Sequence, residues 1–267
     1  FTDGYATVFK KQGVDSLQKK IDKPAITPIP TNRDQVSQFV KDIQQSKVEP
    51  IQPQFVDYQR DLTQAAVKKG LPLLYKQNTD NDLFTLTFRY EFGHEDDNRY
   101  AVARDYLDYV GTDKLSVADV KQKFYKLACN YSVNVNTDAL TITLTGLSEN
   151  MTEALKLMEN LLQNAKADKQ SYEQFVDLTL KEREDAKSDQ RTSFDYLYYY
   201  SVYGPHNMRR DDMTAQQLRD ADPQQLLGLL KGLNGLQHTV LYYGPMSTKQ
   251  LTAVLNKQHK TPKQLAA

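Results

Sequence analysis

The side chains able to do chemistry fall in four places. The densest polar string is Gly93-His94-Glu95-Asp96-Asp97-Asn98. An imidazole beside carboxylates is material for metal ligation or acid/base work, and an enzyme using His94, Glu95 and Asp96 is one reading of it. The preferred reading is a strand-to-helix loop whose acids favour the positive end of the next helix dipole, because adjacent loop residues cannot all turn onto one ion. The run Lys181-Glu182-Arg183-Glu184-Asp185 reads as a solvated helix face with Lys181 and Asp185 paired one turn apart. His206 follows Gly204-Pro205 and reads as a surface loop residue. The tract from Phe194 to Tyr203 carries Tyr196, Tyr199, Tyr200 and Tyr203 and is aromatic on nearly every side of a helix, so it is either sandwiched or lines a groove.

Composition narrows these readings. Thirty-four basic side chains balance 34 acidic ones, which removes the electrostatic case for binding nucleic acid or an anionic membrane. Cys129 is the only thiol and so has no intramolecular partner, and four His spread over the chain offer little for a metal site. Glycine-rich phosphate loops, Cys pairs and GxSxG strings do not occur. No stretch reaches the ~18 apolar residues of a membrane-spanning helix. The chain opens on Phe1 with neither an initiator Met nor a signal peptide, so its start was removed by processing or it is a piece of a longer polypeptide. The compartment stays open; a composition rich in Asn, Gln, Asp and Tyr is similar to that of secreted or periplasmic bacterial proteins.

The elements that must position these side chains follow from periodicity. Prolines at 24, 28, 30, 50 and 53 mark residues 1–56 as an extended connector, interrupted by one helix from Arg33 to Gln45 with Val36, Phe39, Val40 and Ile43 on one face. Leu62 to Val67 and Leu71 to Tyr75 flank Lys68-Lys69-Gly70 as a hairpin. Strict alternation of Phe84, Leu86, Phe88, Tyr90 and Phe92 with polar residues predicts a strand buried on one face. A helix striped by Val102, Tyr106, Tyr109 and Val110 ends at Gly111, a C′ residue. Ser116 and Asp119 form a capping box for the next helix, and Tyr131-Val133-Val135 pairs with Leu140-Ile142-Leu144 across the Thr137-Asp138 turn. Helices from Glu149 to Gln163 and from Lys169 to Asp185 follow, then one started by Asp222-Pro223 and a strand from Thr239 to Tyr243, in which Tyr242 and Tyr243 read as packing residues. Segregated strands and helices favour an α+β fold with an antiparallel or mixed sheet of about six strands and helices on one side.

The order of these elements resembles the pitrilysin/insulinase family of zinc metallopeptidases, which includes mitochondrial processing peptidase. In that family a hairpin and a long strand, as in Leu62 to Phe92, lead to a helix bearing HxxEH, with Gly-Thr a few residues on. Here Gly111-Thr112 is present, and the HxxEH window falls on Val102-Ala103-Arg104-Asp105-Tyr106. Downstream, Gly146-Leu147-Ser148-Glu149-Asn150 resembles the family segment that opens the next helix, and the helix around Glu182 and Glu184 matches the one that supplies the third zinc ligand. The resemblance spans about residues 57 to 260.

Its departures carry the functional expectation. A zinc site of this type needs two imidazoles one helical turn apart and a third ligand from another helix, while the Glu of the motif activates water. Val102 and Tyr106 keep the spacing without the donors. Asp105 keeps a carboxylate at the general-base position, and Glu182 or Glu184 alone could not hold the ion. The resemblance implies a non-catalytic domain without a cofactor, zinc being expected in the catalytic half of the parent protein. That half would lie in the same polypeptide or a partner subunit, with the two closing around an unfolded peptide. Residues 1–56 would be the incoming connector, 57–246 the inactive domain, and 247–267 the start of a link to a following domain. Tyr196, Tyr199, Tyr200 and Tyr203 are the expected substrate-binding residues. A free-standing peptide-binding or assembly module is the alternative.

Overall fold

The computed structural model describes residues 23–29, 31, 35–207 and 210–266, together with residues 4, 9, 12 and 13; Pro30 and the expected helix start at Arg33 lie outside the described residues. The chain divides into two units, Phe1–Gln54 and Phe55–Ala267. In the first, helix α1 (Gln38–Gln45) is capped by Ser37, whose hydroxyl accepts from the Val40 amide, and Phe39 and Ile43 on its apolar stripe are exposed.

The second unit is built on one mixed sheet of six strands: β1 (Thr63–Lys68), β2 (Leu71–Gln77), β3 (Leu83–Tyr90), β4 (Cys129–Val135), β5 (Leu140–Leu147) and β6 (Thr239–Gly244). Their order is β1-β2-β6-β3-β5-β4, antiparallel throughout except for β2 beside β6. The period of two read from the sequence becomes two different faces. On one, Leu73, Phe84, Leu86, Phe88, Tyr90, Leu140, Ile142, Leu144 and Val240 are buried. Removing such a side chain from water contributes about 1.5–3 kcal/mol before entropy is counted. The other face is half-open and polar, lined by Thr85, Thr87, Thr141, Thr143 and Thr145, with the Thr87 and Thr143 hydroxyls 3.0 Å apart.

Helices α2 (Arg99–Leu107), α3 (Val117–Lys126), α4 (Met151–Asn164) and α9 (Thr248–Gln258) pack on strands of the sheet, and α5 (Lys169–Ala186), α6 (Gln190–Tyr203), α7 (Ala215–Asp220) and α8 (Pro223–Gly232) complete the unit. Helix α4 buries Met151, Leu155, Met158 and Leu162, the stripe expected from sequence, and packs against β4, β5, α3, α8 and α9. The Ser116/Asp119 capping box is present, and Gly70 turns the hairpin with φ +80°.

Two expectations differ from the structure. Helix α2 ends at Leu107, four residues before Gly111. Gly111 serves a close backbone approach instead, since a Cβ there would lie 2.1 Å from the Leu115 carbonyl oxygen. Residues 247–267 were expected to lead away from the domain, but those described, 247–266, are part of it: α9 buries Leu251 and Leu255, and Ala266 pairs with Gln237 and Gly235. Nothing local in the sequence marks the surface that receives this helix.

Candidate functional site

Helix α2 turns Val102 and Tyr106 inward, 7% and 0% exposed. The Tyr106 ring stands edge-on to Tyr172 with centroids 5.0 Å apart and tilts against Phe175 at 5.7 Å. Its hydroxyl donates to the Asp168 carbonyl at 3.0 Å and accepts from the Asp168 amide at 3.1 Å. Asp168 is in turn the N-cap of α5, its side chain accepting from the Ser171 amide. Tyr106 therefore ties α2 to the start of the helix from which a third metal ligand was expected.

Of the expected acidic positions, Glu182 adds the smallest of the charges that bear on Asp105. The Asp105 carboxyl is held above its ordinary range, first by burial and then by the charges of Asp108, Asp212 and Glu182, against the relief given by Arg104 at 3.0 Å. Glu184 is exposed and pairs with Lys187. Val102 has no donor and the Tyr106 hydroxyl is already engaged, so this set does not fit a zinc ion. Among the described residues, no group of three or more His, Cys, Asp or Glu is arranged to hold a metal.

The Gly93–Asn98 loop is pinned to the β4–β5 turn by His94 N–H to Asn136 O (2.8 Å) and Glu95 N–H to Thr137 O (3.0 Å). A Cβ on Gly93 would come within 2.3 Å of that same Asn136 oxygen. Pinning disperses the side chains. His94 is buried with Nε2 3.7 Å from Asp212, Asp96 caps the Gly93 amide, Asp97 pairs with Arg99, and Glu95 faces solvent. His206 is exposed.

Helix α6 buries none of its residues. Tyr199 and Tyr203 stack at a tilt 5.7 Å apart, and the Arg210 guanidinium lies 5.7 Å from the Tyr200 ring. Tyr196 faces a cavity of ≈ 560 Å³ that is also lined by Arg183, Lys187, Ser193, Arg210 and Asp212. The tract thus borders a groove and is not sandwiched within the domain.

A second polar cluster escaped the sequence reading. His238 Nε2 is 2.9 Å from His259 Nε2, His259 Nδ1 is 2.6 Å from Glu159 Oε1, and Asn234 donates to Glu159 Oε2 at 2.8 Å. All four are buried. His238 Nδ1 lies 2.7 Å from the Leu236 carbonyl, which only accepts, so neutral His238 presents a bare Nε2. His259 must then donate to it, and its Nδ1 faces Glu159 Oε1 across the third contact. The 2.9 Å separation of the two nitrogens is that of a hydrogen bond. Burial pushes the His238 imidazole down to about 4. The signal in sequence was weak, as the residues lie at positions 159, 234, 238 and 259.

No protein-family model matches the chain, and no curated protein matches it by sequence. Solved structures do match. Over 78% of its length it superposes on a peptidase M16 inactive domain from Pseudomonas fluorescens, with a TM-score of 0.65 at 18% identity. The periplasmic protease PqqL from Escherichia coli matches over 78% of the chain with a TM-score of 0.64 at 12% identity. The ferredoxin protease FusC, solved with Arabidopsis ferredoxin, matches over 84% with a TM-score of 0.64 at 13% identity. The fold is that of an M16 peptidase domain, the α+β architecture expected from the element order. The chain spans 52% of the first of these proteins and 24% and 26% of the other two.

Proposed function

We propose that this chain is a non-catalytic domain of a zinc metallopeptidase of the pitrilysin/insulinase family. It walls the chamber that holds an unfolded peptide and docks on a catalytic half supplied by the same polypeptide or a partner subunit. The observation that carries this reading is the fate of the two imidazole positions: Val102 and Tyr106 are both core residues, and the only polar atom between them is used to join two helices. Asp105 sits where a general base would, with no metal-bound water to assist. Zinc is accordingly assigned to the catalytic half. The reading is supported by the match to segments of larger M16 proteases and by the polar, half-open sheet face, which suits a water-filled wall better than a second packed layer.

Calorimetric titration of the 267-residue chain with zinc is expected to show no site of micromolar or tighter affinity; stoichiometric binding in that range would overturn the proposal. The peptide-holding role is assigned to α6. Replacing Tyr196, Tyr199, Tyr200 and Tyr203 together by Ser should weaken binding of an unfolded model peptide about tenfold or more, as expected when aromatic anchors are removed. The melting temperature should change far less than for a core substitution, because no residue of the helix is fully buried. Equal peptide anisotropy for variant and wild type would remove α6 from the substrate surface.

A further inference from the structure

We propose that the groove between α3 and α4 is a docking site for an acidic peptide segment of a protein partner. In it, large apolar side chains would rest on a leucine floor and carboxylates would meet a lysine rim. The groove has a volume of ≈ 480 Å³, and its floor is Leu115, Leu127 and Leu157, all incompletely buried by the fold. Around them stand Lys114, Lys123, Lys126 and Lys156 against one acid, Glu153, a local surplus of three positive charges in a chain whose total is zero. Glu153 lies 3.9 Å from Lys156. Asp119, on the same helix as Lys123, is committed to the Ser116 cap.

Charge complementarity selects the occupant. An apolar floor with a rim of one sign recognises a segment that alternates large apolar residues with carboxylates. The concave shape favours inserted side chains over a flat bilayer. The simpler account is that lysine stems shield exposed leucines while their ammonium groups stay in water, and that account predicts no preference for ligand charge. The site shares no residue with α6 or with the Asp105 region, so it stands independently of the substrate surface proposed above.

The test uses the full chain and fluorescence anisotropy with a labelled amphipathic helical peptide, Leu on one face and Glu on its flanks. Saturable binding that falls with added salt is expected. Exchanging every Glu for Gln, or introducing Lys123→Glu with Lys126→Glu, should each weaken it about tenfold or more. Both lysines are exposed but stand in the last turn of α3, so the charge reversal should lower the melting temperature modestly; the Glu-to-Gln peptide leaves the protein unchanged, and its weaker binding cannot reflect unfolding. Equal affinity for the Glu and Gln peptides, or an unaffected double variant, would overturn the proposal. Binding to phosphatidylserine vesicles in place of the peptide would overturn it too, identifying the rim as a membrane contact.

Discussion

Replacing Tyr106 by Ala is expected to lower the free energy of unfolding by about 3–5 kcal/mol, the range for deleting a large buried aromatic. The ring is fully buried between Tyr172 and Phe175, and the hydroxyl makes both hydrogen bonds to the Asp168 backbone. Tyr106→Phe keeps the ring and removes the two bonds; Asp168 is exposed and its carbonyl also accepts from the Tyr172 amide, so only about 0.5–1.5 kcal/mol is expected. Urea denaturation followed by circular dichroism separates the two. If Ala and Phe cost the same, the ring contributes nothing and the position is not the core plug described here. The double substitution Val102→His with Tyr106→His, which rebuilds the imidazole pair, should also destabilise. Its melting temperature should not rise with zinc, whereas ligand linkage would raise it if a site had formed.

Acid should weaken the domain through His238 well before carboxylates dominate. In the folded state the imidazole titrates at about 4, against about 6.5 in an unfolded chain. Above pH 6.5 it is neutral in both states and contributes no pH dependence. Between about 6.5 and 4 the unfolded chain binds one more proton than the folded one, so stability falls as pH falls, by up to about 1.4 kcal/mol per pH unit. The total loss is about 3 kcal/mol and levels off below pH 4, where the folded state binds the proton as well. The structural consequence is local: a protonated His238 Nε2 can no longer accept from His259, and the contact between the β6 approach and the end of α9 is lost. Several groups surround that nitrogen and bear on its titration. His259 and Lys68 oppose the charge and Glu159 favours it, while Tyr90 packs 4.9 Å away with an unpartnered hydroxyl. Glu91 and Tyr100 line the adjoining cavity. The measurement is the difference in unfolding free energy between wild type and His238→Gln from pH 8 to pH 4. A difference that stays constant across that interval would refute the assignment.

The fold was largely legible in the chain because its strands alternate cleanly. Phe84, Leu86, Phe88 and Tyr90 on β3 and Leu140, Ile142 and Leu144 on β5 announce a sheet with one buried face, and Ser116, Asp119 and Asp222-Pro223 mark helix starts by local hydrogen-bonding rules. Such signals need only residues within one turn of each other. The insertion of β6 between β2 and β3, with its single parallel pairing, had no local signal, since it depends on residues 150 or more positions apart. For the same reason α9 was read as a way out of the domain.

At the candidate site the division is similar. The family resemblance, counted back from Gly111-Thr112, placed the motif window on Val102, Asp105 and Tyr106, and the sequence shows that none of the three is His. Sequence spacing could not say that Tyr106 would join α2 to Asp168, that Glu184 would turn to Lys187, or that His238 and His259 would meet over Glu159. Those contacts are set by how α2, α4, α5 and α9 pack on the sheet. The amino-acid sequence by itself determined that no imidazole stands at Val102 or Tyr106; only the tertiary structure decided what these side chains touch, because side chains far apart in the chain interact only after the core has brought their helices together.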